Sequence, residues 1–285
     1  MSSARRVGAG FASGAVTAGT AVVLRRRPPG GVTRWVRSNY RGDQVSLIGG
    51  LAVVAGLVVG TIMSDRPTWP RRLAIAASLC GVGAVGAYDD SHGAGEAKGL
   101  HGHLRALASG DVTSGSMKIV GGGVAGLVCA VALGSASAPS RPAVVRDAAL
   151  VAGTANLVNL LDLRPGRALK AALAAAVVGL GSGLAPPVVG SVLPALPGDL
   201  RARTMLGDCG ANALGVAVGC VAVAGGPPPV RWALLATVTG LTLISEWVSF
   251  TSVIERQPWL RRLDEWGRLT RPDPLATDGI SQLIG

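Results

Sequence analysis

Leu73-Ala74-Ile75-Ala76-Ala77-Ser78-Leu79-Cys80-Gly81-Val82-Gly83-Ala84-Val85-Gly86-Ala87-Tyr88-Asp89-Asp90 is uncharged until its last two residues, which are both acids. An uncharged run of near-spanning length reads as a membrane helix, since a bilayer crossing takes about 20 mostly apolar residues. Backbone in lipid must satisfy its own hydrogen bonds, which leaves the helix as the form available to such a run. Gly81, Gly83 and Gly86 have the spacing of a dinucleotide-binding loop. No strand precedes them, and an acid follows at once rather than about 20 residues later. They read as helix-packing positions. Asp89 and Asp90 have no basic residue beside them. Adjacent carboxylates at a low-dielectric boundary disfavour each other's ionisation unless a cation lies between them.

The pattern recurs along the chain. Apolar runs occur at 7–24, 45–63, 72–88, 117–134, 144–161, 168–183, 212–225 and 230–250, with a proline-bearing run at 184–198. Of the 285 residues 49% are hydrophobic and only 15% charged, where soluble domains carry about 25%. Mean hydropathy is +0.45. These values exclude an ordinary soluble globule, a disordered chain and a coiled coil. The expectation is an all-α polytopic membrane helix bundle of about nine transmembrane helices. Its transmembrane domain is 1–250, with cytoplasmic loops 25–44, 89–116, 162–168 and 199–211, followed by a cytoplasmic tail, 251–285. The 42 glycines would let helices approach closely, as at Gly121-Gly122-Gly123 and along Gly179, Gly181 and Gly183. In the tail, Trp259 to Trp266 has the aromatic and basic content of an interfacial helix.

Charge sets the orientation. Arg25, Arg26 and Arg27 directly follow the first run, so the positive-inside rule places the N-terminus outside. Nine crossings then leave the C-terminus in the cytoplasm. In that arrangement 19 of the 27 Lys and Arg residues fall on the inside. Thirteen of the 16 acids fall there too, although acids contribute little to orientation. A cytoplasmic site explains their bias. The net charge of +11 is dispersed between apolar runs rather than gathered with stacking aromatics, so nucleic acid is not the expected partner. The four cysteines form no CxxC and imply no disulfide framework. His92, His101 and His103 lie in one loop, but a zinc site is not favoured by their spacing. No Walker-type or GxSxG motif is present.

Three of the inside segments begin at run ends and carry acids in a polar, glycine-bearing setting. The first starts at Asp89-Asp90 and continues through Lys98, His103 and Arg105. The second holds Asn156, Asn159 and Asp162, three residues apart and so along one helix face, followed by Arg164 and Arg167. Amides in an apolar run need partners or a cavity, and interhelical bonding would also account for them. The third is Gly207-Asp208-Cys209-Gly210, with Asn212 beyond it. It reads either as a flexible phosphate-approaching turn or as a helix N-cap. Lys98, Arg105, Lys118, Arg164 and Arg167 supply cations around these acids. Carboxylates, a hard divalent ion and Lys/Arg are the equipment of phosphoryl transfer.

With these pieces in place the chain resembles the polyprenyl-phosphate N-acetylhexosamine-1-phosphate transferase superfamily. That superfamily includes the phospho-N-acetylmuramoyl-pentapeptide transferase and the undecaprenyl-phosphate GlcNAc-1-phosphate transferases. The matching residues are Asp89-Asp90, the Asn156, Asn159 and Asp162 run, and Gly207-Asp208 with Gly210; Asn39 to Gly50 is similar to the family's first cytoplasmic loop. The resemblance implies a Mg²⁺-dependent enzyme, with Mn²⁺ as a substitute, in the bacterial inner membrane. A polyprenyl phosphate (undecaprenyl or decaprenyl) would attack a UDP-N-acetylhexosamine, giving a lipid-diphosphate sugar and UMP for cell-envelope synthesis. Asp208 would be a metal ligand, and Asp89 and Asp90 would position the metal or activate the lipid phosphate, Asp89 also as a ligand. Asp162 with Asn156 and Asn159 would line the nucleotide-sugar pocket. Lys98, His103, Arg164, Arg167, Gly210 and Asn212 would contact substrate. The membrane and both substrates are the implied partners, and the resemblance admits a homodimer.

Departures from the family accompany these matches. Pro165 stands where the family has a second Asp, no His occurs after His103, and a tenth run is missing. A catalytically weakened relative, serving as a scaffold or regulator, is the alternative that these departures favour. An unrelated transporter would place acids near the midplane of its spans, whereas here they cluster at run ends. One geometric requirement follows. Asp162 and Asp208 can share a site only if an even number of crossings separates them, so 184–198 must return the chain.

Overall fold

The computed structural model describes residues 2–92, 114–134 and 140–268. Lys98, His103 and most of the 89–116 loop therefore lie outside the described residues. Each of the nine apolar runs has become a helix. They are α1 (Ser2–Arg26), α2 (Ile48–Met63), α3 (Trp69–His92), α4 (Ser114–Leu133), α5 (Arg141–Leu161), α6 (Arg167–Val178), α7 (Ala185–Leu200), α8 (Gly207–Gly225) and α9 (Pro228–Ser245). A short antiparallel hairpin, β1 (Val36–Ser38) and β2 (Gln44–Ser46), pairs Val36 with Ser46. Two short helices, α10 (Phe250–Arg256) and α11 (Pro258–Glu265), close the described chain.

Five of these helices, α1, α3, α4, α5 and α8, are long and apolar enough to cross a membrane. The pair α9 and α10, bent by 96°, is a sixth if taken as one broken span. At 1.5 Å per residue, α2 and α7 are about 24 Å long and α6 about 18 Å, short of the ~30 Å hydrocarbon core. The proline-rich run is helical because Pro186 and Pro187 fall in the first turn of α7, where their missing N–H groups have no intrahelical partner to lose. Pro194 and Pro197 lie inside the same helix.

Helix α8 is the central post. Of its apolar stretch 78% is buried, and it packs against α2, α3, α4, α5, α6 and α7. The small residues that allow this lie partly inside and partly outside the glycine clusters singled out in the sequence. Gly215 and Gly219 rest on the backbone of Ala155 and Val151, where a Cβ on Gly219 would come within 2.7 Å of Val151 Cα. Gly83 and Gly86 also pack closely, against Val54 and the Asp208–Cys209 backbone. In contrast, Gly122, Gly123 and Gly181 have nothing within 4 Å of a Cβ, and Gly121 meets Val85 at 3.7 Å. Gly179 and Gly183 do pack, on Val221 and on Asp65 with Arg66. Glycine content marks where close approach is permitted, and only the fold selects which positions use it.

Helix ends meet at two opposite ends of the bundle. At one, Arg6 of α1 pairs with Asp65 beyond α2 at 3.0 Å, Arg72 of α3 donates to the carbonyls of Ile62 and Ser64, and Arg231 of α9 pairs with Asp147 of α5 at 2.9 Å. The other end gathers the acids. There the Gly166 N–H, at the start of α6, donates to Asp199 near the end of α7. Thus α7 returns the chain to the end that α6 left, as the shared site requires. The hairpin lies at this acid end too, with Ser46 bridged to Thr204.

Two outcomes follow. Replacing Gly219 with Leu should lower the thermal midpoint in detergent, because overpacking costs about 1–3 kcal/mol and here it meets backbone; an unchanged midpoint would contradict the packing. In a Cys80→Ser background, single cysteines at Gly181 and at exposed Arg201 should label with impermeant reagent from opposite sides of sealed vesicles. Labelling from one side would show that α6 and α7 do not cross.

Candidate functional site

The site is built on the first turn of α8. The first N–H groups of a helix have no carbonyl within their own helix to bond. Leu206, in the N-cap position, offers no side-chain cap. The caps arrive from other helices. Gly207 N–H donates to Asp162 Oδ2 at 2.9 Å, Asp208 N–H to Asp90 Oδ1 at 3.0 Å, and Cys209 N–H to Asp90 Oδ2 at 2.9 Å. Two carboxylates, from the ends of α3 and α5, thus meet three orphan donors and the positive end of the helix dipole. Gly207 has φ +60, a left-handed conformation, and a Cβ there would lie 2.7 Å from Asp90 Oδ2. Only glycine fits this start without strain.

The capping also corrects the loop boundary. The sequence suggested a flexible Gly207–Gly210 turn within a loop 199–211, but the segment is the first turn of α8. Gly210 packs on α2, where its Cβ would sit 2.5 Å from Gly50 Cα. It serves helix packing rather than phosphate approach.

Asp89 and Asp208 are arranged differently. Both carboxylates close on the Lys118 ammonium of α4, with Nζ 2.5 Å from Asp89 Oδ2 and 2.5 Å from Asp208 Oδ2. The three side chains keep 15–25% of their surface exposed, so a ligand can reach them. Asn212 donates to the Asp208 carbonyl at 2.8 Å. Lys118 and Asn212 stand at the polar side of a shallow hollow floored by Val82, Val85, Gly121, Gly122 and Ala155. The open glycine face of α4 is part of that floor.

Asp162 is buried. Burial raises its pKa well above the ordinary carboxylate value, and Asp199 and Asp90 nearby raise it further, against the lowering effect of the Gly207 N–H. Arg37, ahead of the hairpin turn, donates to the Asp90 carbonyl, and Arg34 to Ser91 Oγ at 3.3 Å. Asn156 reaches Thr242 of α9 at 3.5 Å, the interhelical role that was the alternative for it. Asn159 is half-buried one turn further on, and its carbonyl accepts the Asp162 N–H at 3.1 Å.

The arginines beyond Asp162 face the chain's own C-terminal segment. Arg164 stacks over the Tyr40 ring, 3.6 Å from its centroid, and bonds Glu255 Oε1 at 3.3 Å. Arg167 is buried, forks onto both oxygens of Asp264 at 2.7 and 3.0 Å, and reaches Thr251 Oγ1 at 3.2 Å. Arg268 pairs with Asp264 at 3.0 Å and donates to the Pro165 carbonyl. Lys170 Nζ bonds the carbonyls of Leu263, Asp264 and Trp266. The first part of the expected tail is therefore clamped to the site end. The sequence names these arginines, but their acid partners lie some 90 residues away, so nothing local announces the pairing. The central place of Lys118 carried one weak signal, a lone lysine opening an apolar run.

Among the described residues no three His, Cys, Asp or Glu side chains form a ready metal cage. Mg²⁺, however, is ordinarily held by one or two carboxylates together with substrate phosphates and water. Two carboxylate oxygens that both touch one ammonium can equally converge on one divalent ion, so Asp89 and Asp208 fit that donor set. No protein-family model matches the chain, and no curated protein matches it.

The clamp has a pH signature. Burial opposes ionisation of Asp264, but Arg167 and Arg268 outweigh it and hold its pKa below the ordinary value. The ion-paired contribution to docking is complete above about pH 4 and disappears as pH falls through the lower folded-state value. Hydrogen exchange over 258–266, corrected for intrinsic rate, should show constant protection from neutral pH down to about 5. Asp264→Asn should lose protection throughout. Protection that fades between neutral pH and 5 would rule the pair out as the clamp.

Proposed function

We propose that the chain is an integral-membrane phosphoglycosyl transferase. It would move a sugar 1-phosphate from a UDP-N-acetylhexosamine to a polyprenyl phosphate. The carrying observation is the convergence of Asp89, Asp90, Asp162, Asp208 and Lys118, from α3, α4, α5 and α8, beside an apolar hollow at one end of a bundle with membrane-length helices. A lipid phosphate needs this combination of apolar surface for its chain and charge for its head. In the same reading the chain crosses the bacterial inner membrane nine times, N-terminus outside, with the acid end cytoplasmic; the lysine and arginine asymmetry supports that orientation.

The acids divide by role. Asp90 and Asp162 hold the α8 terminus and so fix where Asp208 stands. Asp89 and Asp208 would hold Mg²⁺ or Mn²⁺, which when bound offsets the charge of the donor diphosphate. Lys118, released from the two carboxylates, meets a phosphate oxygen. Arg164, braced on Tyr40, would meet the nucleotide-sugar phosphates or sugar, Asn212 offers an amide at the hollow, and Asn159 lies one turn before Asp162. The lipid phosphate is already ionised near neutral pH, so no strong base is required. One of its oxygens bonds to the β-phosphorus as the bond from that phosphorus to the bridging oxygen breaks. The bridging oxygen leaves on the α-phosphate as UMP.

A second reading, a non-catalytic relative, is favoured by Lys118 bridging Asp89 and Asp208 and by Pro165 beside Asp162. One experiment separates the two. Purified protein is given undecaprenyl phosphate, Mg²⁺ and a panel of UDP-N-acetylhexosamines, and UMP release is measured. Asp89→Asn and Asp208→Asn should each lower turnover by about 10²-fold or more while leaving the fold intact, the scale of losing one preorganised charge contact. Asp90→Ala and Asp162→Ala should lose stability as well, by about 1–3 kcal/mol, because they uncap α8. No release from folded protein that still binds Mg²⁺ or nucleotide would select the non-catalytic reading.

A further inference from the structure

The broken end of the bundle presents a face on which nothing is packed among the described residues. Helices α9 and α10 meet at 96°. With α9 along a bilayer normal, α10 lies in the plane of the membrane surface. In α11 and its cap, Trp259, Leu263 and Trp266 are spaced four and three residues apart and so form one stripe. They are 62%, 59% and 74% exposed, and Trp247 at the break is 81% exposed. The other flank is fixed, with Asp264 held by Arg167 and Arg268, and three carbonyls held by Lys170. The helix is thus anchored by its polar side with its indoles turned outward.

The charges beside this stripe are unequal. Glu255 is paired with Arg164, and Glu265 with Arg261 at 3.7 Å. Arg256 and Arg262 are exposed, and their guanidinium groups have no partner among the described residues. Arg262 lies next to Trp266 around the helix. Indoles and leucine on one face with arginine at its margin suit the boundary between lipid headgroups and acyl chains. Unpaired guanidinium groups there complement lipid phosphates.

We propose that α10 and α11 form an interfacial cuff that binds the anionic headgroup surface of the membrane. Trp259, Leu263 and Trp266 enter the headgroup–acyl boundary, and Arg256 and Arg262 meet lipid phosphates. Through Arg167 and Asp264 the cuff is tied to the turn that carries Asp162, so membrane binding sets the depth of the acid end. The inference rests on the membrane setting and not on the transferase chemistry.

The test uses the full chain in nanodiscs of phosphatidylcholine, with or without phosphatidylglycerol. In a Cys80→Ser background, spin labels are placed at Leu263→Cys, on the stripe, and at Arg261→Cys, on the far side of the helix. Collision with oxygen, which partitions into lipid, is compared with collision with a water-soluble nickel chelate. Position 263 should be oxygen-accessible and nickel-shielded, position 261 the reverse, and phosphatidylglycerol should deepen 263. Arg256→Gln with Arg262→Gln should remove that deepening, each arginine being worth about a fivefold preference for an anionic surface. Nickel access at 263 equal to that at 261 in both lipids would overturn the cuff. Insertion at 263 indifferent to phosphatidylglycerol would overturn its anionic specificity. Shielding of 263 from both probes would overturn it in favour of a protein partner or a second copy.

Discussion

Three N–H groups at the start of α8 point out of the helix with no carbonyl of their own to bond, at the edge of an apolar bundle where an unmet donor is costly. Asp90 and Asp162 meet all three. The rest of the acid end follows from that arrangement. It ties α3 and α5 to the central helix at one level. It makes the left-handed Gly207 necessary, and it holds Asp208, the middle of the three capped residues, with its carboxylate on Lys118. The positive end of α8 also lies under a cluster of carboxylates, which lessens the cost of gathering four acids in one place.

Identical side chains therefore do different work. Asp89 and Asp90 are neighbours in the chain, yet one carboxylate is turned to the backbone of α8 and the other to the ammonium of Lys118. The first is committed to structure. The second is open to a ligand. The helical geometry separates them, because successive residues point about 100° apart around a helix axis. The same division splits Asp162, buried as a cap, from Asp208, partly exposed.

The C-terminal segment belongs to this arrangement. Arg167 and Lys170 open α6 directly after the Asp162 turn, and both hold α11. The acid end is thus bounded by the hairpin and by the α10–α11 arm, with Tyr40 and Glu255 both meeting Arg164. Contacts with the arm and with the core converge on one short turn, so whatever moves the arm bears on the cap of α8.

The sequence by itself determined that the chain is helical, where its apolar helices lie, and that the acids gather at helix ends; of the nine apolar runs, five helices, or six with the bent pair, are long and apolar enough to span. Those properties depend on local hydropathy and on charges at run boundaries, which are written within some twenty consecutive residues. It also placed Asp162 and Asp208 on a common end once 184–198 was required to return, and the proline positions in the first turn of α7 permit that. It could not assign the roles of the acids. Whether a carboxylate caps a helix or faces a cation depends on which backbone lies opposite, and here the opposing groups are 45 to 119 positions away. Arg167 read as a cation for substrate because its true partner, Asp264, is 97 positions distant. Glycines were likewise legible as candidates for close packing, but Gly215 and Gly219 were selected over Gly122 and Gly123 only by which helix came to rest against them. Local composition fixes what a segment can form; the partners that decide what its polar atoms do come from chain far away in sequence, and only the tertiary structure brings them together.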